Sequence, residues 1–487
     1  MSKTTNLKNW MTTSVLLLVM VQSAFAGRII YVDIDAPGSN NGLSWLNAYL
    51  HLQVALDAAS NGDIIRVAEG TYKPHEGVVN MPTNERELTF QLKNGVTVEG
   101  AYAGYGEPDP NARNAEVYET ILSGDLDGND GEVVDAEDLL YDPNRAENSY
   151  HVVTGSGTNT TACLDGFTIT GGNASGSYPK YDGGGMYNHE GNPAISNCKF
   201  INNSAKDDGG GMYNTHYSDP TVTNCVFNMN SAGDYGGAMY NYASDPVVSY
   251  CKFSGNFADV GGGGMSNSNN YPSITYCSVI DNSALNGGGI YNNENYPTLA
   301  NCTFISNSAR NVGGGIYNNY YGGALLDNCT FISNSGGDAG GGIYNRNNTV
   351  LKSCILRGNS APIGPQITNY GGSFATVSYS DIQGGYSGIG NIDADPLFID
   401  LNGPDDILGT ADDYLHLSGR SPCINAGDPF GDYTGQVDLD NQPRVTYGRV
   451  DMGTDEVFPI AGDFEPDEDV DFVDFAIFAK HWLAGVQ

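Results

Sequence analysis

The chain has 487 residues, and its 57 acidic and 21 basic side chains give a formal net charge of −36. This charge excludes nucleic acid as a partner, because the phosphate backbone requires a basic surface. Glycine occurs 65 times and tyrosine 31 times, while charged residues make up only 16% of the chain. This composition is typical of stacked β-turns and disfavours a helical enzyme.

Residues 1–26 have the pattern of a secretory signal peptide. A positive end, an apolar stretch and a small-x-small cleavage pattern follow one another: Lys3 and Lys8, Val15 to Val21, and Ala24-Phe25-Ala26. The apolar stretch is too short to cross a membrane as a helix, and no other segment comes close. The sequence therefore predicts an exported protein, secreted or at the cell surface or outer envelope, with no transmembrane helix in the mature chain.

Residues 27–160 are predicted to form an N-terminal cap and the first coils of a solenoid. Ile29 to Asp33 and Asp63 to Val67 have the pattern of strands. Ala48 to Ala59 has helical spacing, with Leu52, Leu56 and Ala59 on one face. Because the end of a solenoid exposes apolar core, we expect this helix to cover it.

An acidic insertion interrupts this region at residues 125–150. Asp125, Asp127, Asn129 and Asp130 have the composition of a calcium loop. The glycine that follows, Gly131, comes one position later than an EF-hand requires. We therefore interpret the insertion as a solvated surface loop.

Residues 161–380 repeat one short motif, GGGMYN, with small changes. The Met or Ile of the motif recurs at steps of 26, 27, 26, 25, 26, 27 and 24 residues. Between the glycine boxes runs a second motif, C-x-F/V/L-x-x-N, with the same period. Two motifs with one period indicate a repeat architecture. The boxes begin at Gly183, Gly209, Gly236, Gly262, Gly287, Gly313 and Gly340, with a degenerate copy at Gly364.

The pattern of residues within each repeat unit predicts three short strands. Cys198 and Phe200 share one strand face, whereas Ile195, three residues before the cysteine, is out of phase with it. The chain must bend between them, and Asn197 tolerates the left-handed conformation of such a bend. Stacked units therefore predict an all-β fold, a right-handed parallel β-helix of three sheets.

Side chains at equal positions of successive coils are expected to stack. The asparagines of the second motif then form amide ladders. Seven cysteines form one column, in which neighbouring strands are ~4.8 Å apart, whereas the Cβ atoms of a disulfide lie ~3.8 Å apart. We therefore expect buried free thiols that act as small hydrophobic side chains.

The repeat period ends near residue 380. Residues 381–458 are predicted to form an irregular C-terminal cap. Residues 459–487 contain oxygen ligands at positions 1, 3, 5, 7, 9 and 12 of an EF-hand-type loop, followed by an amphipathic helix, FAIFAKHWL. This pattern predicts a Ca²⁺ site, although position 6 is Glu468 instead of glycine; the alternative is an acidic tail with a short helix. The predicted ligands are Asp463, Glu465, Asp467, Asp469, Asp471 and Asp474.

Aspartates precede the early glycine boxes and are the candidate catalytic residues, above all Asp182, Asp208 and Asp234. On neighbouring coils their carboxylates would lie ~5–10 Å apart, a range that includes both glycosidase geometries. They would equally suit calcium, or a turn before glycine. Asp207 and Asp259 also precede glycine boxes. A lyase would need a base in addition, such as Lys199 or Lys252 on an outward column.

A column of tyrosines follows the Met or Ile of each box and is predicted to face outward. An exposed aromatic stripe suits stacking on sugar rings. The alternative is that these rings stack on one another beneath loops. The column consists of Tyr187, Tyr213, Tyr240, Tyr291, Tyr317 and Tyr344, and Ser266 interrupts it.

Three N-terminal stretches, YVDIDAPGSNNGLSWLNAY, ALDAASNGDIIRVAEGTYKP and NGVTVEGAYAGYGEPDPNAR, carry a family resemblance. They resemble the N-terminal region of exported bacterial β-helix proteins of the pectate-lyase-like superfamily, especially planctomycete forms. The GG-A/G-I and F-x-x-N motifs also resemble repeats of chlamydial polymorphic outer-membrane proteins. The resemblance implies the fold, while the superfamily includes lyases, hydrolases and adhesins.

The last two segments carry a resemblance of their own. Residues 381–458 resemble the C-terminal segment of many such exported proteins, and residues 459–487 resemble one half of a type I dockerin. The dockerin resemblance implies that Asp463, Glu465, Asp467, Asp471 and Asp474 bind Ca²⁺ through side chains and Asp469 through its carbonyl. It also implies a cohesin-like or envelope partner, although a dockerin has two such repeats and this chain has one.

These features predict an exported, non-catalytic protein that binds a polysaccharide, a cell-surface glycan or another extracellular surface, as an adhesin-like or cell-surface component. One alternative is a polysaccharide lyase or glycoside hydrolase that acts on an acidic or plant or algal polysaccharide. A second alternative is a purely structural component of the envelope.

Overall fold

A computed structural model describes residues 27–321, 323–408, 415–445, 448–457 and 475–476. The predicted signal peptide and all six predicted calcium ligands between Asp463 and Asp474 lie outside these residues. The described chain is a parallel β-solenoid with little helix. The predicted class, an all-β parallel β-helix, is therefore confirmed, and the architecture is consistent with a right-handed coil.

Four parallel sheets run along the solenoid, and each of the central coils contributes one strand to each of them in turn. Sheet 1 has twelve strands: Ile29–Val32, Ile64–Ala68, Thr97–Tyr102, Cys163–Asp165, Ala194–Ser196, Thr221–Thr223, Val247–Ser249, Ser273–Thr275, Thr298–Ala300, Leu325–Asp327, Thr349–Lys352 and Ala375–Ser378. Sheet 2 has eleven: Gly70–Tyr72, Thr120–Ser123, Thr168–Thr170, Lys199–Ile201, Val226–Asn228, Lys252–Ser254, Ser278–Ile280, Thr303–Ile305, Thr330–Ile332, Ile355–Arg357 and Asp381–Ile382.

The other two sheets complete the coil. Sheet 3 has seven short strands: Asn173–Ala174, Ser204–Ala205, Ser231–Ala232, Phe257–Gly261, Ser283–Asn286, Ser308–Val312 and Ser335–Gly336. Sheet 4 has ten: Phe90–Gln91, Val153–Thr154, Met186–His189, Met212–Thr215, Met239–Tyr242, Met265–Ser268, Ile290–Asn293, Ile316–Asn318, Ile343–Asn345 and Ile367–Asn369.

The predicted count of three sheets is wrong, because each coil has four bends instead of three. The bend before the cysteine is left-handed as predicted, with φ of 52° at Asn197 and 54° at Asn224. A further left-handed bend precedes the asparagine column and separates sheet 2 from sheet 3. The residues at this bend include Asn202, Met229, Asp281 and Ser306, with φ between 51° and 55°.

In the interior of the solenoid, identical side chains at equivalent positions of successive coils stack on one another. Phe200 lies on Phe227 with ring centroids 4.7 Å apart, and Phe304 on Phe331 at 4.4 Å. The asparagine ladder is confirmed, since the Nδ2 of Asn256 donates to Oδ1 of Asn282 at 2.8 Å. All seven column cysteines are buried free thiols, also as predicted: Cys198, Cys225, Cys251, Cys277, Cys302, Cys329 and Cys354.

One α-helix, Leu52–Ala58, lies at the N-terminal end and packs on the first strand of sheet 1. Its buried Leu52 and Leu56 join the main core, together with Ala59 just beyond it, so the predicted cap is confirmed. Within the described residues, no helix is long and apolar enough to span a membrane. The part of the chain that the structure describes also contains the 3-10 helices Trp45–Asn47, Glu85–Glu87, Ala136–Leu140 and Pro143–Arg145.

The acidic insertion is folded, and its interpretation as a solvated loop is wrong. Its 3-10 helix Ala136–Leu140 packs against strands of sheet 3, with Ala136 and Leu139 buried. Arg145 is 1% exposed and donates hydrogen bonds to the carbonyl oxygens of Gly172 and Asn202. The insertion thereby covers the outer face of sheet 3 near the first coils.

The irregular segment after residue 382 has two parts. Residues 383–392 close the C-terminal end, where Asn391 donates to the Val377 carbonyl and Tyr386 packs on the core. Residues 415–445 and 448–457 fold back along the outside of sheet 2. There they bury the outward isoleucines Ile305 and Ile332 beneath Leu417 and Met452.

Candidate functional site

The predicted tyrosine stripe lies on the outer face of sheet 4, but it is covered. Five of the six side chains are at most 9% exposed, and Tyr213 is half-buried. The prediction of an exposed stripe is therefore wrong, and the alternative of mutual stacking describes these residues. The five are Tyr187, Tyr240, Tyr291, Tyr317 and Tyr344.

These rings form a nearly unbroken stack along the solenoid. Tyr187 lies 5.7 Å from Tyr213, and Tyr213 5.5 Å from Tyr240, between ring centroids. At the next coil the column holds Ser266, and Tyr235 from the neighbouring bend fills the gap. Its ring lies 6.1 Å from Tyr240 and 5.3 Å from Tyr291. The stack therefore acts as a second, lateral core that joins the coils.

The catalytic candidates Asp182 and Asp208 lie one above the other in the bend between sheets 3 and 4. Asp182 Oδ1 accepts the Asp208 backbone N–H at 3.1 Å, and Asp208 Oδ1 accepts that of Tyr235 at 3.0 Å. Burial raises the pKa of Asp182 to about 7 and that of Asp208 to about 8. Each carboxyl thus ties one coil to the next, and both pKa values lie near neutrality.

The remaining acidic candidates are spread along the same bend. Asp234 is exposed, and burial, Asp207 and Asp259 raise its pKa. Asp259 forms an ion pair with Arg310 at 2.6 Å. The candidate aspartates belong to neither of the close groups of His, Cys, Asp and Glu found among the described residues.

The candidate bases lie on a different face. Lys199 and Lys252 are half-buried on the outer face of sheet 2, with Val226 between them in the same column. A groove of about 460 Å³ is lined there by Lys199, Val226, Asn224 and the Arg113–Asp165 ion pair. The structure does not bring the two lysines to the aspartates of the bend between sheets 3 and 4.

Exposed tyrosines occur elsewhere, in the bends that lead from sheet 4 to sheet 1. We call the set Tyr271, Tyr296, Tyr320, Tyr321 and Tyr370 the aromatic ridge. Tyr271 is 66% exposed and Tyr296 53% exposed, and their rings stack at 5.8 Å with planes 10° apart. Tyr320, Tyr321 and Tyr370 are 48%, 77% and 55% exposed on the coils that follow.

Sequence reasoning missed this ridge, although it had a signal. Tyr271 and Tyr296 directly precede Pro272 and Pro297, which start strands of sheet 1. The residue before such a proline is extended and lies at the end of a surface bend. Both tyrosines are exposed at this position.

The polar surroundings of the ridge are mixed. On the preceding coils the equivalent positions hold Asp219 and Asp245, and Asp245 Oδ1 accepts the Tyr271 backbone N–H at 2.6 Å. At the other end Arg346 lies between two ridge rings, with its guanidinium carbon 4.2 Å from the Tyr320 centroid and 5.0 Å from that of Tyr370. Such a cation–π contact holds both rings in place.

Comparison with known proteins agrees with the fold. Residues 189–313 match the family model described as "Right handed beta helix region". Among solved structures, pectate lyase Pel9A is similar at 15% identity with a TM-score of 0.49, over 89% of this chain and 97% of the other. A rhamnogalacturonan lyase is similar at 12% identity with a TM-score of 0.43, over 79% and 96%. No curated protein matches this chain. The matched residues 189–313 are therefore similar to a right-handed β-helix region.

Proposed function

We propose that this chain is an exported, non-catalytic β-helix protein that binds an extended, uncharged polysaccharide or cell-surface glycan through the aromatic ridge. The observation that carries the proposal is the stacked, exposed pair Tyr271 and Tyr296. A tyrosine ring offers an apolar face to a sugar ring and a hydroxyl to its rim.

The spacing of the ridge suits a linear ligand. Its members lie at one corner of successive coils, and neighbouring coils are ~4.8 Å apart. A glycan laid parallel to the solenoid axis would therefore meet Tyr271, Tyr296 and Tyr320 on three successive coils and Tyr370 two coils later. Contiguous exposed aromatic surface of this kind is typical of a binding site, whereas scattered single aromatics are not.

Charge favours an uncharged ligand. The net charge is −36, and Asp219, Asp245 and Glu294 are exposed in the same row of bends. Their field would repel an acidic chain within the ~8 Å screening length of physiological salt. The guanidinium of Arg346 already contacts the rings of Tyr320 and Tyr370. We therefore expect Arg346 to position these rings and not to bind an acidic group of the ligand.

The test is a double substitution, Tyr271→Ala with Tyr296→Ala, in mature protein comprising residues 27–487. A glycan array followed by affinity electrophoresis on the bound polysaccharide measures the effect. At about 1 kcal/mol for each stacked ring, we expect affinity to fall roughly 10- to 30-fold. Tyr141→Ala is the control, because Tyr141 is 72% exposed in the acidic insertion, outside the ridge. Equal retention of both variants would refute the proposal.

Catalysis is the second candidate, and the raised pKa values of Asp182 and Asp208 favour it. A carboxyl that stays protonated near neutral pH suits a general acid. Incubation of the bound polysaccharide with the protein, with and without calcium, should release no reducing or unsaturated ends. Release of such ends by the unaltered protein, and its loss in the variant Asp208→Asn, would support an enzyme and contradict a purely binding role.

Attachment belongs to the same proposal. We expect the C-terminal segment 459–487, with its calcium-loop pattern, to hold the protein to an envelope or cohesin-like partner. Deletion of residues 459–487 should then move the protein from the cell surface to the medium while ridge binding is retained. Surface retention of the deleted form would contradict this role.

A further inference from the structure

The acidic insertion brings together three carboxylates from its two ends. Oxygen atoms of Asp125, Asp130 and Glu147 all lie within 4.8 Å of one another. Asp125 follows the sheet 2 strand Thr120–Ser123, and its Oδ1 accepts the backbone N–H groups of Gly128 and Asn129 at 2.6 and 3.1 Å. The cluster is therefore built on the wall of the solenoid and closed by the returning chain.

Two further side chains hold Asp130. Its Oδ2 accepts Arg145 Nη1 at 3.0 Å and Asn148 Nδ2 at 2.8 Å. Asn148 is 0% exposed and Arg145 is 1% exposed, so both are fixed in the interior. The carboxamide of Asn148 is thereby held against the carboxylate cluster.

Several oxygens at this place are buried without a donor. Asp130 Oδ1, Glu147 Oε1 and Asn148 Oδ1 have no hydrogen-bonding partner in the part of the chain that the structure describes. A buried polar atom without a partner costs about 1–3 kcal/mol, and more when it is charged. Three such oxygens beside a fourth ligand, Asp125, are the donor set of a hard cation.

The charges of the cluster agree with this chemistry. Three carboxylates carry three negative charges and Arg145 one positive charge, which leaves a net charge of −2. Mutual repulsion of close carboxylates is unfavourable unless a cation or protonation offsets it.

We propose that Asp125, Asp130, Glu147 and Asn148 Oδ1 bind one Ca²⁺ ion. All donors are oxygens, as Ca²⁺ prefers, and the irregular loop suits its variable coordination better than the strict octahedron of Mg²⁺. The ion clamps the start of the insertion to its end. Through Arg145, which donates to the carbonyl oxygens of Gly172 and Asn202, it also fixes the insertion on the first coils.

The experiment is calorimetric titration of metal-free mature protein, residues 27–487, with CaCl₂ and in parallel with MgCl₂. The double substitution Asp463→Asn with Asp467→Asn serves as background, because it removes ligands of the loop predicted in the C-terminal segment. We expect one calcium site in this background. Adding Glu147→Gln should weaken it about tenfold or more, and Asp125→Asn should have the same effect.

Asp127→Asn is the matched control, because Asp127 is an exposed carboxylate of the same loop outside the cluster. It should bind calcium as the background does. Calcium should also slow proteolytic cleavage between residues 127 and 134 in the background and not in Glu147→Gln. Absence of calcium binding in the background, equal affinity of Glu147→Gln and Asp127→Asn, or tighter binding of Mg²⁺ would each overturn the assignment.

Discussion

A core asparagine makes the same bonds in every coil, and Asn256 is representative. Its Nδ2 donates to the Phe227 carbonyl and to Asn282 Oδ1, while its own Oδ1 accepts two N–H groups from Asn230. The side chain is fully buried. It satisfies backbone groups at the bend between sheets 2 and 3 that no other described side chain reaches.

Asn256→Ala should lower the free energy of unfolding by about 3 kcal/mol or more, because several buried groups lose their partners. Urea denaturation followed by circular dichroism measures the change. Asn228→Ala is the control, since Asn228 is half-buried on an outward column and accepts only from Ser254 Oγ among the described side chains. A loss for Asn256→Ala no larger than for the control would show that the ladder is not a source of stability.

Asp182 and Asp208 show how aspartate stabilises the bend between sheets 3 and 4. Each carboxylate accepts a backbone N–H from the next coil, as the core asparagines do. Aspartate before glycine predicts such a turn. The sequence pattern does not contain the degree of burial, which raises the pKa of both carboxyls.

At the scale of the element, the glycine box sets how closely sheets 3 and 4 approach. A Cβ on Gly263 would lie 2.4 Å from the Ser283 carbonyl oxygen and 2.7 Å from that of Gly288. A Cβ on Gly264 would meet the Gly289 oxygen at 2.8 Å. Ala238 already occupies the position equivalent to Gly264 one coil earlier.

Gly263→Ala should therefore lower the free energy of unfolding by about 2–3 kcal/mol through overpacking. Gly264→Ala, its matched control one residue away, should lower it by less because the coil can shift as it does at Ala238. Thermal unfolding of both variants measures the difference. Equal midpoints would show that the second glycine of the box does not limit the approach of the backbones.

The tyrosine elements illustrate what a repeat pattern leaves open. Periodicity correctly predicts that Tyr187, Tyr213 and Tyr240 stack in register. It does not predict their burial, because Tyr235 reaches them from a bend whose length varies between coils. The exposed ridge lies one corner further along, where short bends leave Tyr271 and Tyr296 uncovered.

At the scale of the whole molecule, buried acidic groups set the response to pH. Burial raises the pKa of Asp208 and Glu456 to about 8 each, and that of Asp381 to about 6. In the unfolded chain such groups ionise near pH 4. Between these values the folded protein binds more protons than the unfolded one, so the free energy of unfolding falls as pH rises.

The melting temperature should therefore be higher at pH 5 than at pH 8, measured in calcium-free buffer at constant ionic strength. Asp208→Asn should reduce this difference, because it removes one group that must ionise while buried. The exposed Asp234, replaced in the same way, should reduce it less. A melting temperature that increases from pH 5 to pH 8 would contradict the expected direction.

The packing of the C-terminal segment against the solenoid also concerns the whole molecule. Its irregular sequence predicts a cap, yet residues 415–445 and 448–457 lie along sheet 2 and bury outward isoleucines such as Ile305 and Ile332. These isoleucines end successive strands of sheet 2, and they were not singled out from the sequence. Their partners lie about a hundred residues away, and spacing within a repeat carries no information on such a contact.

The sequence by itself determined the solenoid, the register of the stacked coils, the asparagine and cysteine columns and the helical cap at the N-terminal end. It does so because a residue repeated at a constant period must stack on its own copies once coils are ~4.8 Å apart. The local sequence pattern is therefore sufficient to predict the contacts between equivalent positions of successive coils. The fourth sheet was not predicted because the left-handed bend between sheets 2 and 3 went unrecognised, although Asn202, Gly255 and Asp281, which favour left-handed turns, occupy it on several coils. On other coils Met229 and Ser306 adopt the same left-handed backbone, so no single residue type marks the bend.

Only the tertiary structure decided which side chains meet outside the repeat. It buried the tyrosine column, exposed the aromatic ridge, kept Lys199 and Lys252 away from the aspartates, and joined Asp125 to Glu147. These contacts link residues at irregular separations, through bends of variable length and the insertion. Their geometry depends on how loops pack against a finished solenoid, which is a property of the folded surface and not of the repeat.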